Sequence, residues 1–151
     1  MTDLRELYQE LIVDHSKRPR NFGKLEGATH EAEGFNPLCG DKVHVYLVLE
    51  GGKVTGARFE GAGCAISTAS ASMMTEALKG KSEAEARKLF ESFHELVVGT
   101  GEGETLGKLK VFAGVRDYPA RVKCASLAWH TLHNALDRKG DVVSTEEGEE
   151  T

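Results

Sequence analysis

The chain has 151 residues, with an apolar fraction of 40% and aromatics at 7%, enough for one domain that buries roughly 68–70% of its unfolded surface. Its net charge of −5 has one source: residues 141–151 hold Asp141, Glu146, Glu147, Glu149 and Glu150 and no lysine or arginine, and without them 19 acidic groups balance 19 basic ones. That balance excludes the basic face nucleic-acid binding requires, and no apolar run nears the roughly 18 residues of a membrane span.

The N-terminal residues lack the basic and apolar parts of a secretion signal, which points to the cytoplasm. Residues 3–15 read as an amphipathic helix, with Leu4, Leu7, Tyr8, Leu11, Ile12 and His15 at helical spacing. Pro19 ends it and opens a basic loop containing Arg18 and Arg20. Thr29 to Gly34 suits a short strand, and Val43 to Leu49 is rich in the β-branched and aromatic residues that strands favour. Gly51-Gly52 then turns the chain so that Val54 to Phe59 pairs back as a hairpin.

A helix is expected over 65–79, fine-grained in its first half with Ser67, Thr68, Ala69, Ser70, Ala71 and Ser72, small residues that allow close approach to a neighbour. Gly80 stops it. Ser82 to Glu85 forms a capping box, and Ala86, Leu89, Phe90, Phe93 and Val97 make the buried stripe of the next helix. Gly99 to Gly103 is a flexible link; it lacks the Gly-Lys-Ser/Thr ending of a phosphate loop. Glu104 to Val115 is predicted helical, and Pro119 opens a last helix that ends by Gly140. The expected fold is α+β: a small three-stranded antiparallel sheet with helices packed on one face, an N-terminal helix and a long C-terminal helix. It forms one domain over residues 1–140, followed by a disordered acidic tail over 141–151.

Chemistry concentrates on Cys39, Cys64 and Cys124. An odd count in a reducing compartment disfavours disulfides and favours metal or redox chemistry, although free cysteines also serve as small buried hydrophobes. Cys39 and Asp41 flank Gly40, which permits the sharp turn that would point both side chains one way. Cys64 precedes a helix, where the dipole and free N–H groups favour a thiolate. Cys124 lies just inside the helix that Pro119 opens. Three thiolates and a carboxylate supply the four ligands of tetrahedral zinc. Drawn from three distant segments, with a carboxylate as the weakest donor, such a site depends on the fold and suits exchange. His130 and His133, at i, i+3, are a possible metal pair or an ordinary helix surface. A cysteine hydrolase would need a histidine beside its nucleophile, and none is near Cys39 or Cys64 in sequence.

Asn36-Pro37-Leu38-Cys39-Gly40-Asp41, Gly61-Ala62-Gly63-Cys64-Ala65-Ile66-Ser67 and Arg121-Val122-Lys123-Cys124-Ala125-Ser126-Leu127-Ala128-Trp129 closely resemble the motifs of the IscU/NifU-like iron–sulfur cluster assembly scaffold family, in the same order. The resemblance runs from the first helix to about residue 139. Within the family the chain looks SufU-like: Lys123 stands where the IscU branch has a histidine, the Leu-Pro-Pro-Val-Lys chaperone-recognition segment is missing, and an extra helical stretch occupies residues 82–115. The resemblance implies a zinc-bound protein that accepts sulfane sulfur from a pyridoxal-phosphate-dependent, SufS-like cysteine desulfurase and serves downstream assembly or recipient proteins. Cys39 would be the sulfur acceptor, and Cys39, Asp41, Cys64 and Cys124 the zinc ligands. This is sulfurtransferase-like work rather than conventional enzyme turnover. The alternatives are an IscU-like scaffold that builds a transient [2Fe–2S] cluster on Cys39, Cys64 and Cys124, and a purely structural zinc domain. Arg18, Arg20 and Arg121 are candidates for the desulfurase-docking surface.

Overall fold

The computed structural model describes residues 4–37, 40–101, 106–137 and 142–144. In chain order these are α1 (Leu4–Lys17), β1 (His30–Asn36), β2 (Asp41–Glu50), β3 (Lys53–Ala62), α2 (Ala65–Leu78), α3 (Glu83–Val98), a 3₁₀ segment (Gly107–Asp117), α4 (Pro119–Asp137) and β4 (Val142–Ser144). The sheet order is β3-β2-β1-β4. The three antiparallel strands are the expected ones. Gly51 and Gly52 turn the β2–β3 hairpin, both with positive φ, as a two-residue turn matched to strand twist demands.

Two features differ from the expectation. Of the stretch expected to carry no structure, 142–144 forms a short strand parallel to β1, pairing Val142 with Glu33 and Ser144 with Phe35; most of the acidic tail lies outside the described residues. The segment predicted as an α-helix over 104–115 winds instead as 3₁₀ over Gly107–Asp117. Four of its buried residues, Leu106, Leu109, Phe112 and Val115, recur every third position, with Val111 buried beside them, and a three-residue turn stacks i and i+3 on one edge.

α4 and α2 cover one face of the sheet, α4 over β1 and β2 and α2 against β3. Gly34 makes the first contact possible, since a Cβ there would sit 2.0 Å from Thr131 Oγ1. The core is centred on Trp129, stacked on Phe93 at 4.4 Å between ring centroids, with Phe112 edge-on to Phe93 at 5.6 Å. The Ser82–Glu85 capping box opens α3 with both reciprocal bonds made. On the outer side of β3 the loop after α1 pairs like a strand fragment: Gly23 N–H donates to the Phe59 carbonyl at 2.7 Å and Phe59 N–H to the Asn21 carbonyl at 3.0 Å.

α2 lies between α1 and α4, and its small residues do more than allow close approach. Ser72 Oγ accepts the Arg20 backbone N–H at 2.8 Å and pairs with His15 Nδ1 at 2.7 Å. His15 is buried, and burial together with nearby Arg20 pushes its pKa below the ordinary imidazole value, which keeps it neutral against α2. On the opposite side Ser70 Oγ–H donates to the Ala125 carbonyl at 2.6 Å and accepts the Trp129 indole N–H at 3.0 Å. These are hydrogen-bonded seams, each buried and satisfied.

Candidate metal centre

β1 and β2 end in register, Asn36 opposite Asp41, with the cysteine loop between them. Gly40 takes a left-handed φ of 72° and its N–H donates back to the Asn36 carbonyl at 2.8 Å. That turn delivers Asp41, 1% exposed, to the first position of β2. At this same open end of the β2–β3 hairpin, where Val43 pairs with Gly61, β3 presses against β2: Gly61 has φ 153°, and a Cβ there would lie 2.1 Å from the Lys42 carbonyl oxygen. Only glycine fits such an approach.

The chain then passes Gly63 and enters α2. A Cβ on Gly63 would meet Ser67 Oγ at 2.5 Å and Asp41 Oδ1 at 2.9 Å, so the missing side chain is what lets the carboxylate sit against this turn. Cys64 is the N-cap of α2. Its backbone N–H donates to Asp41 Oδ1 at 3.0 Å, and its Sγ accepts the Ser67 backbone N–H at 3.4 Å. A cap normally carries an oxygen acceptor; sulfur here receives the same N–H at the positive end of the helix. Asp41 Oδ2 remains 3.8 Å from Cys64 Sγ. Cys64 is exposed and Cys124, on the second turn of α4, is buried.

One ligand atom from each of Asp41, Cys64 and Cys124 lies within 4.8 Å of the others. Tetrahedral zinc with Zn–S bonds of about 2.3 Å spaces its sulfurs about 3.8 Å apart, so closing on an ion requires only small side-chain adjustments. The donor set of two thiols and a carboxylate suits zinc or iron better than magnesium or calcium. The structure thus brings together three of the four residues singled out in the sequence. Cys39, the fourth, lies outside the described residues.

The histidines behave differently. His130 and His133 both face α3, where His94, which the sequence reading did not single out, joins them. The three rings gather on Phe90, with centroids at 5.4 Å for His130, 4.9 Å for His133 and 6.2 Å for His94. Burial first, then the neighbouring His94 and His133, pushes the pKa of His130 down to about 4. His133 Nδ1 lies 3.4 Å from Asp137 Oδ2. Among the described residues these rings form no three-ligand group. Arg18 is exposed, Arg20 pairs with Asp14 at 2.7 Å, and Arg121 lies over the exposed ring of Tyr118 at 5.0 Å, three residues before Cys124. No helix among the described residues is long and apolar enough to cross a membrane.

Comparison with known proteins gives a consistent result. Residues 7–137 match the family described as the NifU-like N terminal domain. The chain is 40% identical over 143 residues to the iron–sulfur cluster assembly scaffold protein IscU of Streptococcus pyogenes serotype M1, covering 93% of this chain and 89% of the relative. It is also 40% identical over 139 residues to the zinc-dependent sulfurtransferase SufU of Bacillus subtilis, covering 91% and 94%. A crystal structure from Fervidobacterium islandicum AW-1, described as an iron–sulfur cluster assembly scaffold protein for the SUF system, superposes with a TM-score of 0.82 at 39% identity, over 89% of this chain and 100% of that one.

Proposed function

This chain belongs to the family of NifU-like N-terminal domains, and on that premise we propose that it works in iron–sulfur cluster assembly as a SufU-like sulfur acceptor in the cytoplasm. In this reading Cys39 takes sulfane sulfur from a pyridoxal-phosphate-dependent cysteine desulfurase, and Cys39, Asp41, Cys64 and Cys124 hold zinc. The observation that carries the reading is the convergence of Asp41, Cys64 and Cys124 within 4.8 Å. Cys39, two residues before Asp41 in the sequence, is the fourth donor of this reading.

The transfer is a thiol–disulfide-type exchange. The Cys39 thiolate attacks the terminal sulfur of the desulfurase persulfide, the S–S bond of that persulfide breaks, and the desulfurase cysteine leaves as a thiolate. Cys39 is left as the persulfide, and no external oxidant or reductant is consumed. When bound, zinc keeps the cysteines ionised at neutral pH. The residues of this chain do the rest: Asp41 fixes the Cys64 turn through one oxygen and offers the other to the site, and the first turn of α2 holds the Cys64 sulfur through the Ser67 N–H. A competing ligand from the docked partner would take the place of Cys39 at the site and leave its thiolate free for attack. Arg121, on the first turn of α4, and Tyr118, just before it, are exposed and suit that docking surface.

The test is transfer of radiolabelled persulfide sulfur from the desulfurase. Cys39→Ala should abolish uptake; labelling and desulfurase stimulation that survive the change overturn the assignment. A second reading, that a [2Fe–2S] cluster is assembled on the three cysteines and passed on, is favoured by the 40% identity to a relative named as a scaffold. Anaerobic reconstitution separates the two. A stable cluster with full function in zinc-free protein selects the scaffold; zinc retention with sulfur transfer and no cluster selects the acceptor.

A further inference from the structure

Two of the candidate ligands stand at the starts of different helices: Cys64 caps α2 and Cys124 lies in the second turn of α4. Their separation depends on how α4 is rolled against α2. A 10° roll would carry Cys124 Sγ, roughly 5–6 Å off the helix axis, through about 1 Å, whereas metal–ligand bonds tolerate about 0.2 Å. Apolar packing between small residues resists such a roll weakly, because alanine and serine faces have few features to interlock. A directional bond resists it strongly.

Ser70 supplies that bond. It is fully buried, six residues and about 9 Å along α2 from Cys64. Its hydroxyl donates to the carbonyl of Ala125, the residue after Cys124, at 2.6 Å. Its oxygen accepts the Trp129 indole N–H at 3.0 Å, so two points on α4, about one turn apart, are tied to a single atom of α2. Trp129 is itself fixed by its stack on Phe93. The flanking Ala69 and Ala71 already satisfy close packing, so the hydroxyl is not needed for fit, and a buried hydroxyl is costly unless its bonds are made.

We infer that Ser70 is a positioning residue for the metal site, its bonds to Ala125 and Trp129 setting the Cys64–Cys124 separation that an ion requires. The inference rests on the metal reading above. Ser72 provides an internal control: it is a buried hydroxyl on the same helix, two residues away, and its bonds to His15 and the Arg20 backbone lie on the α1 side.

The experiment is titration of the metal-free full chain with cobalt(II) alone, following the thiolate-to-cobalt charge-transfer band, with affinity read by chelator competition and apo stability read by urea unfolding. Wild-type protein should develop the band. Ser70→Ala should weaken cobalt binding by about 10- to 100-fold, the range for loss of a supporting bond, and shift the band. Ser72→Ala should lower apo stability to a similar degree and leave cobalt affinity within about twofold. Trp129→Phe, which keeps the stack on Phe93, should weaken binding less than Ser70→Ala, and it decides the matter if Ser70→Ala does not fold. Wild-type affinity in a folded Ser70→Ala or Trp129→Phe protein overturns the inference, as does an equal loss in Ser72→Ala. Absence of the band in wild-type protein overturns the metal reading itself.

Discussion

Two gatherings of ligand-type side chains among the described residues are built in opposite ways. Asp41 comes from a strand start, Cys64 from a helix N-cap and Cys124 from the second turn of a helix, and their donors converge on a common space. His94, His130 and His133 come from the middles of α3 and α4, and the ring of Phe90 lies among them. A hydrocarbon ring at the centre converts would-be ligands into packing. Three ligand-type residues close together therefore decide nothing until it is known what fills the space between them and which way the local backbone dipoles point.

The largest expected effect lies in the first group. Asp41→Ala removes a donor and the acceptor that holds the Cys64 N–H, and zinc affinity should fall by more than about 100-fold, measured by chelator competition; unchanged affinity would make the carboxylate a structural cap only. Gly63→Ala comes next. Its Cβ would intrude on Asp41 Oδ1 and Ser67 Oγ, and an affinity loss of about tenfold is expected with a smaller change in melting temperature. A normal affinity would show that the turn relaxes away from the site.

The histidine group should speak through pH instead. The folded-state pKa of His130 is pushed down to about 4, below the ordinary value near 6.5. The unfolded chain therefore binds the proton more readily, and the stability held by neutral His130 is complete above about pH 6.5 and lost as pH falls toward 4, at up to about 1.4 kcal/mol per pH unit. His15, also shifted down by burial, adds to the same slope. Urea unfolding of metal-free protein between pH 7 and 4.5 should show it, and His130→Phe should flatten it in part; an unaltered slope would assign the effect elsewhere. The smallest effect is expected from His94→Ala, an exposed site: bound zinc per chain should not change, and stability should move by under about 1 kcal/mol. A drop in zinc stoichiometry would reverse the contrast drawn between the two groups.

Much of this was legible in the residues, for identifiable reasons. Glycine or proline near Cys39 and Cys64 marked turns and Pro119 marked a helix start ahead of Cys124, and such places are where side chains from distant segments meet. The capping box of α3 is a local motif whose two bonds need no tertiary context. What stayed hidden is what depends on partners far along the chain. Ser70 and Ser72 look alike in sequence, yet one bonds α4 and the other α1, and only the placement of α2 between those helices separates their roles. His94 carries no signal until α3 is laid on α4. The 3₁₀ segment was half visible: its period of three was written in Leu106, Leu109, Phe112 and Val115, but the first three of these also fit an α-helical stripe, and Gly107, with φ 59°, disrupts an α-helical start. β4 carries only three residues of strand character among acidic neighbours, too little to outweigh composition.

Residues 21–23 run alongside part of β3 next to Phe59, and the three-residue β4 covers β1 next to Glu33 to Phe35. Long strand edges left open invite other chains to zip on. A protein whose proposed work is to carry a reactive sulfur between partners gains from having those seams shut: encounters at the thiol end can form and dissolve without the sheet growing into a filament.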